Sequence, residues 1–390
     1  MNLAAAARIR LSSVALCDRD GTFDVVLDGG RIDAIELLPR GSIASGVLMP
    51  AFFNAHAHAN RAFCASGRRP VSLEDAVARV AQERSTLGKD DYRERARRMF
   101  DCAVVHGTAR IRTHTDIDPV TGLRAIEGVL EAARDFEGVL DVEVVAFAHA
   151  GADPVRTDVQ HLLQDAVAIG AGWIGAAPAL CASPSATIDG VLKLAARLGA
   201  EVDLHLDEHL DAVDSQLAPV IARTVEFGLR GRVTVSHGCA LAVMSEVDAR
   251  RRLDAMAEAR IALAALPELN LYLQGRGSRM PGPRGIAPLK LARAAGVDVR
   301  LGTDNVRDWF FPFGDGDPLT AGYVAAIGAH CDLATDLVAA LCGGRSALAE
   351  GDPADLVLVP AGSFDEALAV RPEGRELFRS GRRVRRRSSS

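Results

Sequence analysis

The sequence predicts an α/β protein: a (β/α)8 barrel of the TIM type carrying a small β-sandwich-like domain built from both chain ends. Two observations lead there. From about residue 48, eight short apolar runs alternate with stretches whose apolar residues recur every three or four positions, the pattern of parallel strands joined by crossover helices. Before residue 48 and after residue 345, strand-like runs lie beside Gly and Pro with few helical stretches between them. The expected boundaries are therefore 48–345 for the barrel and 1–47 with 346–390 for the small domain, residues 381–390 being read as a disordered tail.

In chain order, Ala7–Leu16, Phe23–Leu27 and Ile32–Leu37 read as strands, the last two joined by the turn Asp28, Gly29, Gly30. The barrel strands are expected at Val47–Asn54, Thr108–His114, Asp141–Phe147, Gly172–Ala176, Glu201–Leu206, Arg232–His237, Arg260–Leu266 and Val297–Thr303. Amphipathic stretches such as Asp91–His106, Thr121–Phe136 and Ser215–Gly228 supply the outer helices. Strand signal returns at Asp355–Pro360 and Glu376–Arg379. The basic run Arg382–Arg387 reads as a frayed, solvated end rather than an anion-binding tail.

Composition narrows the function. The 390 residues hold 45 Lys+Arg against 51 Asp+Glu, a formal charge of −6, and 48% of them are apolar. That balance argues against disorder and against nucleic-acid binding by bulk positive charge. No run reaches the ~18 apolar residues of a membrane helix, and no basic segment precedes an apolar core as in a signal peptide. Seven cysteines form no close pair and leave one over in any disulfide scheme, so a cytoplasmic location is expected. A homo-oligomer is compatible with all of this.

The chemistry concentrates at strand ends. His56 and His58 lie two residues apart at the end of the first barrel strand, so both imidazoles face one way and can reach one metal ion. His205 and Glu208 follow the fifth strand, His237 the sixth and Asp304 the eighth, all at the carboxyl ends where barrel enzymes keep their sites. A single strand-end histidine is as often a satisfied polar residue as a ligand, but six such groups at four strand ends are hard to dismiss. Three histidines and an aspartate suit Zn²⁺ or Fe²⁺, and such an ion lowers the pKa of a bound water towards ~7. Glu208, if not a ligand, can carry protons.

These residues, with Arg112 to Asp116, Asp203 to Glu208, Ser236-His237, Leu273 to Arg276 and Gly302 to Asn305, make the chain resemble the amidohydrolase superfamily, and within it the cytosine deaminase-like group. The resemblance implies that His56, His58, His205 and Asp304 hold one divalent metal ion per chain. It further implies that Glu208 shuttles protons to a ring nitrogen and that His237 orients or polarises the attacking water. Substrate and water are then the partners, with no nucleic acid and no membrane.

The departures from that group fall where substrate is read. The sequence Phe147-Ala148-His149 stands where the group has Phe-Pro-Gln, and imidazole lacks an amide's adjacent donor and acceptor. Ala59-Asn60 replaces the usual Leu-Asp after the second metal histidine, with Arg61 following, Asn305 replaces the second of two aspartates, and Phe310 aligns with an expected tryptophan, with Trp309 adjacent. The expected activity is therefore deamination of a small nitrogen heterocycle other than cytosine. Hydrolysis of a cyclic amide or an N-alkylated amine is the alternative within the superfamily, and a non-catalytic barrel the alternative outside it. Gly170 to Gly175 match the dinucleotide fingerprint in letters only, because a helical run precedes them and Pro178 follows closely. No Cys-Xaa-Xaa-Cys occurs, which excludes the other zinc class of nucleobase deaminases.

Overall fold

The computed structural model describes residues 8–67, 70, 73–149, 152–280 and 282–385. The strands are β1 (Ile9–Leu16), β2 (Arg19–Asp28), β3 (Arg31–Leu37), β4 (Val47–Pro50), β5 (Phe52–Ala57), β6 (Thr108–Ile117), β7 (Asp141–Ala148), β8 (Trp173–Ala176), β9 (Glu201–Leu206), β10 (Val233–His237), β11 (Ala262–Ala265), β12 (Val299–Leu301), β13 (Leu356–Val359), β14 (Glu376–Arg379) and β15 (Arg382–Arg383). They make two sheets. β5 to β12 neighbour one another in sequence order, all parallel, as crossover helices dictate. The chain ends form a separate seven-stranded sheet in the order β15-β14-β13-β4-β1-β2-β3.

Closure of the barrel creates the site. A parallel bridge pairs Ala57 with Asp304, and the Asp304 N–H donates to the His56 carbonyl at 2.9 Å. Gly302 permits that approach, since a Cβ there would lie 2.8 Å from both the backbone nitrogen and the Cβ of His56. Gly175 does the same inside β8, where a Cβ would meet the Asp203 carbonyl at 2.2 Å. Gly170 and Gly172 lie between the end of a helix (Thr157–Ala168) and β8, and Gly175 lies within β8.

Two expectations need correction. The run Val47–Asn54 is not one barrel strand: β4 pairs with β13 and β1 in the terminal sheet, and the chain passes to the barrel at Ala51. Every residue of β4 and β5 is buried, so no alternation marked the crossing. Arg382–Arg383, expected within a disordered tail, instead pair with β14; residues 386–390 lie outside the described residues. All seven cysteines are free, and among the described residues no helix is long and apolar enough to cross a membrane.

Candidate metal centre and active site

Beneath the mouth of the barrel lies a polar layer that begins with Arg112. Its side chain is 2% exposed, donates from Nε to Glu143 and from Nη1 to Asp203, both at 2.8 Å, and lies 3.4 Å from the ring centre of Trp173. Burial opposes ionisation of Asp203, yet His114, Arg112 and Ser236 outweigh it and hold the carboxyl below its usual range. Ser236 Oγ donates to Asp203 Oδ1 at 2.6 Å, and His56 Nδ1 lies 2.9 Å from that oxygen of Ser236. With the hydroxyl proton committed to Asp203, His56 must donate, which leaves its Nε2 a lone pair facing the mouth. His58 is set likewise: its Nδ1 donates to the His114 carbonyl at 3.2 Å. His114 stacks on His56 with ring centres 3.9 Å apart and faces Asp203 at 3.4 Å.

Asp304 meets these imidazoles from the last strand. Its Oδ1 lies 3.3 Å from His58 Nε2 and 3.8 Å from His56 Nε2. His205 stacks on Phe147 at 4.3 Å, and its Nδ1 is 3.1 Å from His237 Nε2. Because His237 Nδ1 donates to Asn270 Oδ1 at 3.2 Å, its Nε2 is the acceptor and His205 Nδ1 carries the proton. That leaves His205 Nε2 a lone pair, buried and without a partner. Glu208 stands at the rim, its side chain 32% exposed and Oε2 3.6 Å from His237 Nε2. Asp207, His237 and Asp304 all have left-handed backbones, with φ of 55°, 73° and 58°, turning the chain sharply as each strand ends.

The electrostatics ask for a cation. Both oxygens of Asp304 are buried without a hydrogen-bond partner, and burial followed by Glu208 pushes this carboxyl well above its usual range. Burial likewise drives His56, His58 and His205 well below the usual imidazole range, so they are neutral and able to ligate. His56, His58 and Asp304 place ligand atoms within 4.8 Å of one another, as do His56, His205 and His237. A buried carboxylate among neutral imidazoles with free lone pairs is the donor set of a divalent metal site.

Above the cluster opens a cavity of about 560 Å³, lined by His58, His205, Glu208, His237 and Asp304 and walled by Arg61, His149, Asn305, Phe310 and Gln274 among others. Two residues expected at the substrate stand elsewhere. Asn60 does not line the cavity; it donates to Asp116 at 3.1 Å. Trp309 also faces away, its indole N–H donating to Glu83 at 3.2 Å, because Asp308 accepts the N–H groups of Phe310 and Phe311 and thereby sets the loop. Sequence reasoning gave no role to Ser236, Asp203 or Asn270. Asp203 and Ser236 entered only as part of the stretches that carry the resemblance, and the spacing of Asp203, two before His205 on β9 and so on the same face, was the signal that could have placed it.

A closed parallel barrel with a buried His/Asp cluster at its carboxyl-terminal mouth defines a metal-dependent hydrolase. The amidohydrolase family model matches residues 71–385, and the chain belongs to that family. It is therefore an enzyme of the amidohydrolase type, acting on C–N bonds. It is 29% identical over 384 residues to a pterin deaminase of Rhizobium rhizogenes, covering 94% of this chain and 86% of that one. The structure of an N-isopropylammelide isopropylaminohydrolase from Burkholderia multivorans superposes with a TM-score of 0.82 at 27% identity, covering 97% of this chain and 98% of the other. A 5-methylcytosine deaminase from Klebsiella pneumoniae shares the fold at a TM-score of 0.84 and 24% identity, with 98% of each chain covered.

Proposed function

We propose that the chain removes an exocyclic amino group from a small nitrogen heterocycle by hydrolysis, with His56, His58, His205 and Asp304 holding one Zn²⁺ or Fe²⁺ ion. The observation that carries this is the buried Asp304 carboxylate, both of whose oxygens lack a partner among neutral imidazoles, with Glu208 and His237 beside it. When bound, the ion supplies a water of lowered pKa at neutral pH. Glu208 would take a proton from the attacking water and pass it to the ring nitrogen next to the amino-bearing carbon. His237, fixed by Asn270, holds the attacking oxygen in line with that carbon. A C–O bond would form; Glu208 would then take the remaining proton from that oxygen and deliver it to the amino group, the C–N bond would break, and ammonia would leave as the ring carbonyl forms.

The likeness to a pterin deaminase over nearly the whole chain supports an aminopteridine or a related bicycle, and a cavity of about 560 Å³ has room for one. The likeness to an isopropylaminohydrolase supports a second reading, release of an alkylamine from a triazine. The unpaired cysteines fit a reducing compartment such as the cytoplasm. A panel of aminopteridines, aminopyrimidines and N-alkylaminotriazines, assayed for both ammonia and alkylamine, separates the two readings. Ammonia from an aminopteridine supports the first. Alkylamine alone supports the second, and neither product from any ring overturns both. Elemental analysis should return about one zinc or iron per chain, and His205→Ala should lower metal content and turnover together.

A further inference from the structure

A short helix, Pro267–Leu273, follows β11 along the wall of the cavity and reaches both His237 and Glu208. Asn270, buried, accepts from His237 Nδ1 at 3.2 Å. One turn further on, the Gln274 N–H closes the helix on the Asn270 carbonyl at 2.9 Å, and the Gln274 side chain donates from Nε2 to the main-chain carbonyl of Glu208 at 3.0 Å. Residues four apart share a helix face, so a single turn sets the spacing between His237 and Glu208, whose Nε2 and Oε2 stand 3.6 Å apart. Gly285 makes room for this amide, since a Cβ there would lie 2.7 Å from Cγ of Gln274.

Glu208 needs such a hold. It follows the sharp turn at Asp207 and opens a segment without helix or strand that runs to the helix Leu217–Glu226. The near end of that segment is pinned where the Ala240 N–H donates to the Asp207 carbonyl at 3.2 Å. Its far end is pinned where the Asp207 carboxylate accepts from Ser215 Oγ at 2.5 Å and from the Gln216 N–H at 2.8 Å. Between these points the segment bonds to itself, Asp211 to His209 and Val213 and Asp214 to Asp211. Among the described residues, Gln274 is the donor that reaches residues 208–214 from elsewhere in the fold. Holding the Glu208 carbonyl fixes the peptide plane beyond it, and with that plane the direction in which Cα projects the side chain. A reacting group misplaced by ~1 Å can cost about 10²-fold in rate.

We propose that Gln274 is a positioning residue for proton transfer: acting through the Glu208 backbone, it keeps the Glu208 carboxylate beside His237 at the rim of the metal centre. The inference rests on the deaminase reading above, in which Glu208 carries the protons. Gln274 also borders the cavity, so contact with substrate is the competing role that a test must separate.

A double-mutant cycle on metal-loaded protein tests it, with ammonia release followed on the best ring of the panel above. Gln274→Met keeps the length of the side chain and removes the donor. It should lower kcat about 10- to 100-fold, leave KM within about twofold of wild type and retain the metal. In the Glu208→Gln background the same substitution should change kcat by less than about twofold, because the group it positions no longer carries protons. An equal loss in both backgrounds, a loss confined to KM, or loss of the metal makes Gln274 a structural or substrate-contacting residue and overturns the proposal. Hydrogen–deuterium exchange needs no substrate: in Gln274→Met it should rise across residues 207–216 and stay at the wild-type level in β9 and β10. Unchanged exchange across that segment also overturns the proposal. Gln274→Glu, which keeps the shape and loses the donor, gives the same readouts should Gln274→Met not fold. If wild type releases ammonia from no ring, the deaminase reading fails, and the exchange result still decides whether Gln274 holds Glu208.

Discussion

The hydroxyl of Ser236 stands 2.9 Å from Nδ1 of His56 and fixes which nitrogen of that imidazole faces the mouth of the barrel. The hydroxyl is itself held by Asp203 and, through Asp203, by Arg112. Ser236→Ala removes the acceptor for a buried N–H and frees the ring to take the wrong tautomer. Metal affinity should drop about 10- to 100-fold, measured by competition with a chelator, with the circular dichroism spectrum unchanged. Affinity equal to wild type would show that the relay does not orient the ligand.

Glu208 differs from the groups it faces because its side chain is 32% exposed, whereas that of Asp304 is 1% exposed. A proton carrier needs access to solvent and substrate; a ligand needs neither. Glu208→Gln should retain its metal and lose turnover by ~10²-fold or more. Loss of the metal in that variant would make Glu208 a ligand.

Arg112 sets the stability of the layer beneath the metal centre. Arg112→Met leaves Asp203 buried with its charge no longer met by the guanidinium, and should cost about 3–5 kcal/mol in chemical denaturation. A loss below about 1 kcal/mol would mean that water or His114 replaces the guanidinium at Asp203.

His149 gives a pH signature. Burial places its folded pKa at about 4, below the ordinary 6.5, so the unfolded chain takes up the proton first as the pH falls. The stability linked to His149 is thus complete above 6.5 and declines between 6.5 and about 4. From pH 7 to pH 5, wild type should lose about 2 kcal/mol more than His149→Gln. Denaturation curves of both proteins at the two pH values measure it, and parallel losses would place His149 in water.

The sequence by itself determined the barrel, the terminal sheet and the groups at the strand ends. Alternation of apolar runs and amphipathic helices is a local property, and the two-residue spacing of His56 and His58 records a strand's period directly. The tertiary structure alone decided what those groups meet. Asp304 reaches His56 only because the last strand closes on the first, with Gly302 allowing the contact. Ser236 meets Asp203 because β10 lies against β9, and it reaches His56 only because the closed barrel turns the inward side chains of β5 and β10 towards each other. The choice of Phe310 over Trp309 and of Arg61 over Asn60 was also tertiary, since Asp308 and Asp116 draw particular groups towards themselves. Periodicity records how deeply a residue is buried, but which side chain of a loop turns inward is set by hydrogen bonds to residues distant in the chain.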